Sequence, residues 1–198
     1  YKLIDAMLAA VSRMYRTRKV HVGMDEAFYL GYGNYRKKHG EISQAVLIRR
    51  HLDRVMELCA KHGLDPMIWS DMFFAAAGEG DYDRIPPEYE WKEEEKPDRR
   101  VTLVYWDYEG NDKQRYAKMI ALHKKLGDQV CFAGGSWIWN GLAPCYAKSE
   151  SALTAAFEGL REAGATDTFL TLWLDNGAET PMAAGVPMLI FYAALVWG

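Results

Sequence analysis

The sequence predicts an α/β fold organised around a parallel β-sheet. Short apolar segments of strand type alternate with longer amphipathic segments of helix type, in the order of one helix followed by five strand–helix units. Strict alternation of this kind is typical of parallel sheets whose crossover connections are helices. The order of elements alone fits both a doubly wound sheet and a (β/α)8 barrel.

A further observation favours the barrel, also called a TIM barrel. Aromatic and acidic residues follow one predicted strand after another, and no strand leads into a glycine-rich phosphate-binding motif. In a barrel, side chains from the ends of many successive strands share one pocket. Five strand–helix units are too few to close a barrel of eight strands. Residues 1–198 are therefore predicted to be a half-barrel fragment, the C-terminal portion of one barrel domain, with about three units missing before it.

The individual elements follow from hydrophobic spacing. Helical spacing predicts helices over 5–18, 43–61, 112–126, 149–163 and 187–197. Apolar runs predict strands over 19–24, 64–70, 101–106, 130–133 and 168–173. Gly63 is expected to end the second helix. Residues 75–100 contain three prolines and are predicted to form a long loop that includes short helical pieces, a kind of segment that is usually functional.

Composition restricts the classes of partner. The chain is 49% hydrophobic, which is enough for a substantial core, and its formal net charge is -3. It contains no basic cluster of the size that binds nucleic acid and no apolar run of membrane-spanning length. Neither a nucleic acid nor a membrane is therefore an expected partner.

The cysteines indicate buried thiols. They are three in number and lack metal-ligand spacing, so neither a disulfide framework nor a metal site is predicted, and no cofactor is expected. Cys59 lies in a helical pattern and Cys131 in a strand pattern, which predicts two core residues. The chain opens in a helix without an initiator Met, so the lack of a visible signal peptide says little about its compartment.

The stretch at 19–26 has the strongest functional pattern in the chain. A strand of buried type delivers the adjacent carboxylates Asp25 and Glu26 into a loop rich in Gly, Tyr and Asn. Gly23 is expected to let another backbone or a ligand approach closely. A solvated strand end is the ordinary explanation of an Asp-Glu pair, because most charged residues are simply exposed. The repetition of the pattern at later strand ends favours a functional role.

The other strand ends combine tryptophan or tyrosine with acid. They are Trp69 with Asp71, Tyr105 and Trp106 with Asp107, Trp137 with Trp139, and Trp173 with Asp175. A single tryptophan is most often a packing residue. Aromatic walls with a few fixed polar groups are typical of a small-molecule pocket, and tryptophan faces suit the C–H surface of a sugar ring. Paired carboxylates add the acid and base chemistry that cleaves a glycosidic bond.

These residues carry a family resemblance. The stretch His21-Val22-Gly23-Met24-Asp25-Glu26 resembles the His-x-Gly-x-Asp-Glu motif of the family 20 glycoside hydrolases, the β-N-acetylhexosaminidases. The likeness extends in order through residues 68–71, 105–107, 134–141 and 173–179. It is closest to the compact bacterial exo-acting members, which favours a bacterial cytoplasmic location.

The resemblance implies a reaction and roles for its residues. The reaction is hydrolysis of terminal β-linked N-acetylhexosamine, GlcNAc or GalNAc, in which the substrate's acetamido oxygen attacks the anomeric carbon and forms an oxazolinium intermediate. Glu26 would act as acid and then as base. Asp25 would stabilise the acetamido N–H, and Tyr105 would hold the acetamido oxygen.

Substrate-binding residues are also implied. Trp69, Trp173 and one of Trp137 or Trp139 would surround the acetamide and stack on the ring, while Asp107 and Asp175 would bind outer hydroxyls. Two departures accompany the likeness. Asp175 stands where many members have Glu, and no residue matches the family's sugar-binding arginine.

Two alternatives remain beside the enzyme. The chain could be a catalytically incomplete sugar-binding fragment, with a homodimer formed through its exposed barrel edges. It could instead be a barrel hydrolase that uses Asp25, Asp71 or Asp107 on a metal. His21 is interpreted as a structural or second-layer residue, because no other ligand type stands at suitable spacing.

Overall fold

A computed structural model describes residues 1–78, 84–174 and 179–198 of the chain. The helices in these ranges are α1 (Lys2–Met14), α2 (Asn34–His39), α3 (Gln44–Lys61), α4 (Asp71–Ala77), α5 (Lys113–Leu126), α6 (Tyr146–Ala163) and α7 (Val186–Trp197). The strands are β1 (Lys19–His21), β2 (Asp65–Trp69), β3 (Thr102–Trp106), β4 (Gln129–Gly135) and β5 (Thr168–Thr171). A short 3-10 helix, Met182–Gly185, precedes α7.

The strands form a parallel sheet in chain order, β1-β2-β3-β4-β5. Lys19 lies opposite Asp65, Met67 opposite Thr102, and Phe132 opposite Thr168. The predicted α/β class with a parallel sheet and alternating helices is thereby confirmed. The chain divides into two compact units, which we describe separately. The first unit contains Tyr1–Val104 and Leu122–Val130, and the second contains Tyr105–Ala121 and Cys131–Gly198.

The first unit has a core in which α1 and α3 cover the start of the sheet. Its members are Leu8, Val55, Leu58, Cys59 and Leu64, with Val20 and Val22 packed against them. The regular apolar spacing of α3 explains why its bounds agree with the prediction to within one residue. Gly63 follows α3 with a φ of 68°, as its predicted role requires. Burial raises the pKa of the Cys59 thiol to about 11, which makes it an inert core residue.

Two helices were not predicted from the sequence. Residues 71–77 form α4, where the sequence analysis placed a strand end followed by a loop. Met72, Phe73 and Phe74 are all buried, so α4 has no polar face and shows no helical period. Residues 34–39 form α2, which at six residues is too short to show a period against its polar composition.

The segment predicted as a long loop is partly packed. Within this segment, residues 75–77 belong to α4, which agrees with the expected short helical pieces, and residues 84–100 contain no helix or strand. Ile85 and Trp91 are nevertheless almost fully buried. The indole Nε1 of Trp91 donates to the Phe73 carbonyl at 3.3 Å, and its ring meets Phe74 edge to face. This part of the loop therefore covers α4.

A buried polar anchor ties β2, β3 and α5 together in the first unit. The Ser70 hydroxyl donates to the Val104 carbonyl at 2.8 Å and lies 2.7 Å from His123 Nε2. Because the hydroxyl has one proton, Nε2 of His123 is the donor in the second bond. The His123 ring also stacks on Phe74 at 4.1 Å. Ser70 and His123 are both fully buried, so this bond is made away from water.

Replacing His123 with Ala is expected to lower the free energy of unfolding by about 2–4 kcal/mol, because the change opens a cavity beside Phe74 and removes the partner of Ser70. Lys124→Ala, at the next and exposed position of α5, should change it by less than about 0.5 kcal/mol. Urea denaturation followed by circular dichroism measures both. Equal losses of stability in the two variants would contradict the stabilising role of His123.

Close helix packing marks the second unit. A Cβ added at Gly159 of α6 would meet the Lys113 carbonyl at 2.6 Å, so α5 and α6 approach at this glycine. A Cβ at Gly134 of β4 would come within 2.5 Å of Leu153, so α6 also lies close to the sheet. Cys131 is buried, as predicted. Within the described ranges, no helix combines the length and apolarity needed to cross a bilayer.

Candidate functional site

The Asp25-Glu26 pair lies on an unusual backbone in the first unit. Beyond β1 the chain still runs beside β2, since the Val22 N–H donates to the Met67 carbonyl at 2.9 Å and the Trp69 N–H donates to the Gly23 carbonyl at 3.0 Å. It then turns sharply, with a φ of 79° at Met24 and 48° at Glu26. Positive φ values at such residues cost about 1–3 kcal/mol each and concentrate at functional sites. Both carboxylates of the pair are exposed to solvent.

Gly23 has a conformational role in addition to the predicted one. Among the described residues, no backbone atom lies within 4 Å of a Cβ built at this position, and the nearest atom is Asp25 Oδ1 at 3.8 Å, an ordinary contact distance. The predicted close approach of a ligand therefore stays a prediction. Glycine suits this position because of its backbone conformation. Gly23 has a φ of 75° and begins the turn that carries Asp25 and Glu26 out of the strand.

Asp71 holds the strained turn. Its Oδ2 accepts the Glu26 N–H at 2.8 Å, although the two residues are 45 positions apart in sequence. Asp71 is only 4% exposed, so this bond is largely shielded from water. The Glu26 carbonyl in turn accepts the Phe28 N–H at 2.8 Å. The backbone of Glu26 is thus bonded on both sides, while its side chain reaches into solvent.

Asp71→Ala is expected to lower the free energy of unfolding by about 1–3 kcal/mol, because it leaves the Glu26 N–H without its carboxylate partner. It should also raise the hydrogen-exchange rate of the Glu26 amide. Asp71→Asn is the matched control, since its side-chain oxygen can still accept this bond, and its loss should be smaller. Denaturation and amide exchange measure the two effects. Protection of the Glu26 amide in the Ala variant would contradict the role of Asp71.

His21 is a neutral structural residue in this arrangement. Its Nδ1 accepts the Gly23 N–H at 3.1 Å, and its ring packs on Trp69 with centroids 4.3 Å apart. An accepting Nδ1 carries no proton, so the proton of the neutral ring is on Nε2. Burial lowers the pKa of His21 to about 4, against a smaller opposing effect of the Asp25 charge. His21 thus helps to orient Trp69 and the start of the turn.

The lowered pKa makes stability depend on pH. Unfolded His21 binds a proton below about pH 6.5, whereas folded His21 resists protonation down to about pH 4, so its contribution is complete above pH 6.5 and is lost as the pH falls toward 4. Between pH 7 and pH 4.5, the chain is expected to lose about 1–2 kcal/mol more stability than His21→Gln. Urea denaturation at both pH values tests this. Parallel losses in the two proteins would show that His21 is not responsible.

In the second unit, Asp107 is the centre of a saturated hydrogen-bond network. Its Oδ1 accepts the backbone N–H groups of Glu109 and Gly110 at 2.9 and 3.1 Å. Its Oδ2 accepts Arg115 Nε at 2.7 Å and the Tyr105 hydroxyl at 3.0 Å. These four bonds match the acceptor capacity of a carboxylate. A sugar hydroxyl could bind Asp107 only by displacing one of them.

Tyr105 is fixed from several sides. It is fully buried, with its ring 6.1 Å from that of Tyr116 and 5.5 Å from that of Phe132. Its only hydroxyl proton is donated to Asp107. Burial raises the pKa of Tyr116 far above its ordinary value, so this neighbour stays neutral. A ligand that accepts a bond from Tyr105 would have to compete with Asp107.

The aromatic residues at the strand ends of the second unit form a continuous row. Trp106 stacks on Tyr108 at 5.4 Å, Tyr108 meets Trp139 at 5.3 Å, and Trp139 packs on Trp137 at 4.4 Å. Gly135 permits this, because a Cβ there would lie 2.7 Å from Tyr108 and 2.8 Å from Trp139.

Trp137 and Trp139 are both buried, with 8% and 7% of their surface exposed. The Lys148 ammonium lies 3.5 Å from the centroid of the Trp137 ring, a cation–π contact, and pairs with Glu109 at 2.8 Å. The Trp137 indole donates to the Tyr108 carbonyl at 2.7 Å. Trp106 is only partly buried and is therefore more open than these two tryptophans.

The remaining predicted residues divide by accessibility. Trp69 is buried against His21 in the first unit. Trp173 follows β5 and is partly exposed. Asp175 lies outside the described residues.

Sequence reasoning gave no role to Arg115 or Lys148. Both lie in the first turn of the helix that follows a strand, α5 for Arg115 and α6 for Lys148. The first turn of such a helix lies near the end of the preceding strand, so this position in the sequence could have suggested contacts with the strand-end residues.

In the described ranges, no group of three or more His, Cys, Asp or Glu residues is arranged to hold a metal ion. A comparison of the chain with models of known protein families finds no match. A comparison with curated proteins finds no significant match.

Proposed function

We propose that this chain belongs to the catalytic part of an exo-β-N-acetylhexosaminidase of the family 20 type, and that its five βα units are part of a (β/α)8 barrel. The observation that carries the proposal is the Asp25-Glu26 pair. Two adjacent exposed carboxylates follow the half-buried strand β1 on a turn with positive φ values, and the buried Asp71 holds that turn. The sequence resemblance at residues 21–26 supplies the reaction.

Glu26 is the proposed acid and base. It donates its proton to the glycosidic oxygen while the substrate's acetamido oxygen attacks the anomeric carbon and the bond to the leaving group breaks. Its carboxylate then takes a proton from the water that opens the oxazolinium ring. Because the Glu26 amide is bonded to Asp71, the side chain departs from a fixed backbone, which favours a reproducible position of the acid.

Asp25 is proposed to stabilise the positive charge that develops on the acetamido nitrogen. The resemblance assigns the acetamido oxygen to Tyr105, whose hydroxyl would then donate its hydrogen bond to the substrate in place of Asp107. It assigns the sugar ring and acetamide to Trp69, Trp173 and one of Trp137 or Trp139, and the outer hydroxyls to Asp107 and Asp175. The saturated bonds of Asp107 support an additional part for this residue, which is to hold Tyr105 in place.

Sugar binding without turnover is the second candidate. The observation that favours it is the full burial of Tyr105 with its hydroxyl donated to Asp107. A tyrosine held in this way would leave a pocket able to bind sugar but poor at catalysis. In either case the proposed partner is a glycan that ends in N-acetylhexosamine.

Self-association is proposed as well. Apolar side chains are exposed on α1, including Leu3 and Met14, and on α7, including Ile190 and Trp197. Exposed apolar surface of this kind favours association with another protein surface.

Glu26→Gln is expected to reduce release of a chromophore from an aryl N-acetyl-β-glucosaminide by about 100-fold or more, because the amide cannot donate or take the proton. Binding of N-acetylglucosamine should change by less than about threefold, since the substitution preserves shape. Glu57→Gln, at an exposed position of α3, is the matched control and should retain full turnover. Steady-state kinetics and calorimetric titration measure the two quantities.

Three outcomes separate the candidates. Turnover that is lost only in Glu26→Gln supports the enzyme. Sugar binding without turnover in the unsubstituted chain supports the binding fragment. Turnover that survives in Glu26→Gln would refute the proposed acid.

A further inference from the structure

Arg115 and Tyr105 share one oxygen of the buried Asp107 carboxylate. Oδ2 of Asp107 accepts Arg115 Nε at 2.7 Å and the Tyr105 hydroxyl at 3.0 Å. The other oxygen, Oδ1, accepts two backbone N–H groups of the following turn. Only 3% of the Asp107 side chain is exposed, so water does little to replace a donor that leaves. Each donor to Oδ2 therefore affects how firmly the carboxylate holds the other donor.

The two bonds to Oδ2 differ in strength. A charged nitrogen donor usually lies about 2.7–2.9 Å from a carboxylate oxygen, and a hydroxyl donor about 2.5–2.7 Å. The Arg115 bond is thus at the short end of its range, whereas the Tyr105 bond is longer than usual. Arg115 also brings a positive charge to a buried negative one, while the tyrosine hydroxyl is neutral. Tyr105 is therefore the donor that Asp107 releases more easily.

Arg115 reaches Asp107 from a fixed backbone. It is the third residue of α5, and the next residue, Tyr116, is fully buried. The Tyr116 hydroxyl donates to the Gly110 carbonyl at 3.1 Å, and a Cβ at Gly110 would lie 2.8 Å from that hydroxyl. The start of α5 is thus bonded to the same turn that surrounds Asp107, which keeps the guanidinium beside the carboxylate.

We propose that Arg115 is a positioning residue that keeps the Tyr105 hydroxyl available to a ligand. When Tyr105 donates to the carbonyl oxygen of a ligand, Oδ2 of Asp107 still accepts the Arg115 bond and its charge stays paired. Without Arg115, Tyr105 would be the remaining donor to Oδ2 among the described residues. Turning the hydroxyl toward a ligand would then leave a buried carboxylate oxygen unpaired, which is costly, so the hydroxyl would stay on Asp107.

The inference rests on the proposed function, in which the carbonyl oxygen of the ligand is that of the acetamido group. Arg115 acts on this group through Asp107 and Tyr105. Because the acetamido oxygen is the nucleophile, a hydroxyl that fixes its position lowers the barrier more than it tightens substrate binding. Loss of Arg115 is therefore expected to reduce kcat more than it raises KM.

Arg115→Met keeps the aliphatic stem and removes the donors. It is expected to lower kcat for an aryl N-acetyl-β-glucosaminide about 10-fold or more, while KM changes less than about threefold. Arg115→Lys keeps the charge without the planar guanidinium, so it should retain part of the turnover that Arg115→Met loses. Arg99→Met is the matched control, since it breaks an exposed ion pair with Asp128 and should change neither quantity. Steady-state kinetics measures both quantities.

Repeating the substitution in Tyr105→Phe separates positioning from general stability. This background has no hydroxyl to position, so Arg115→Met should lower its kcat by less than about twofold. A general weakening of the fold would instead lower turnover equally in both backgrounds, and circular dichroism shows whether each variant folds. If Arg115→Met does not fold, Arg115→Lys is compared in the two backgrounds in its place.

The competition for Oδ2 is also measurable without a ligand. Tyr105→Phe leaves Oδ2 of Asp107 bonded to Arg115 in the unsubstituted chain, but it leaves Oδ2 without a described donor in Arg115→Met. The shift of the urea midpoint caused by Tyr105→Phe is expected to be about twice as large in Arg115→Met, because an unsatisfied buried acceptor costs more than one lost bond of two. Urea denaturation of the four chains measures this coupling.

The outcomes separate this inference from the proposed function. Equal midpoint shifts in the two backgrounds, or equal losses of kcat with and without the Tyr105 hydroxyl, overturn the inference and leave the proposed function intact. Coupling between Arg115 and Tyr105 in a chain without turnover supports the role of Arg115 and refutes the proposed reaction. An unfolded Arg115→Met together with full turnover of Arg115→Lys would give Arg115 a role in stability alone and also overturn the inference.

Discussion

The hydrogen bond between the Glu26 amide and the buried carboxylate of Asp71 is the constraint on which the candidate site depends. It joins the end of β1 to the start of α4, and it fixes a backbone that Met24 and Glu26 would otherwise leave for more favourable φ values. Parallel pairing of β1 with β2 places the two segments side by side. The first unit thus uses one buried acid to position an exposed acidic pair, so acidic residues at neighbouring strand ends have opposite functions.

In the second unit, too, some strand-end residues support the structure while others remain open to solvent. Both oxygens of Asp107 accept hydrogen bonds, from Tyr105, from Arg115 and from the following turn. The Trp137 indole donates to the Tyr108 carbonyl, and its ring makes a cation–π contact with Lys148. These residues build a rigid support. The more open rings, Trp106 and Trp173, are better placed to meet a ligand. Rigid support of this kind is what a site needs if it is to recognise a sugar without rearrangement.

The sequence predicted the long elements well. α3, α5 and α6 agree with the predictions because a helix that faces the core on one side shows its period in the sequence. α4 was missed because the residues after Asp71 are all apolar and show no helical period, and its place was assigned to a strand end followed by a loop. The structure also added a conformational reason for Gly23, whose positive φ could not be derived from the sequence pattern.

The sequence by itself determined the parallel α/β class, the buried thiols at Cys59 and Cys131, and the set of acidic and aromatic residues at the strand ends. Only the tertiary structure decided which of those residues remain open to a ligand. The partners that occupy them are distant in the chain or hidden in helices, as Asp71 is for Glu26 and Arg115 is for Asp107. Hydrogen-bond capacity is limited, so a carboxylate's role depends on neighbours that spacing along the sequence does not reveal.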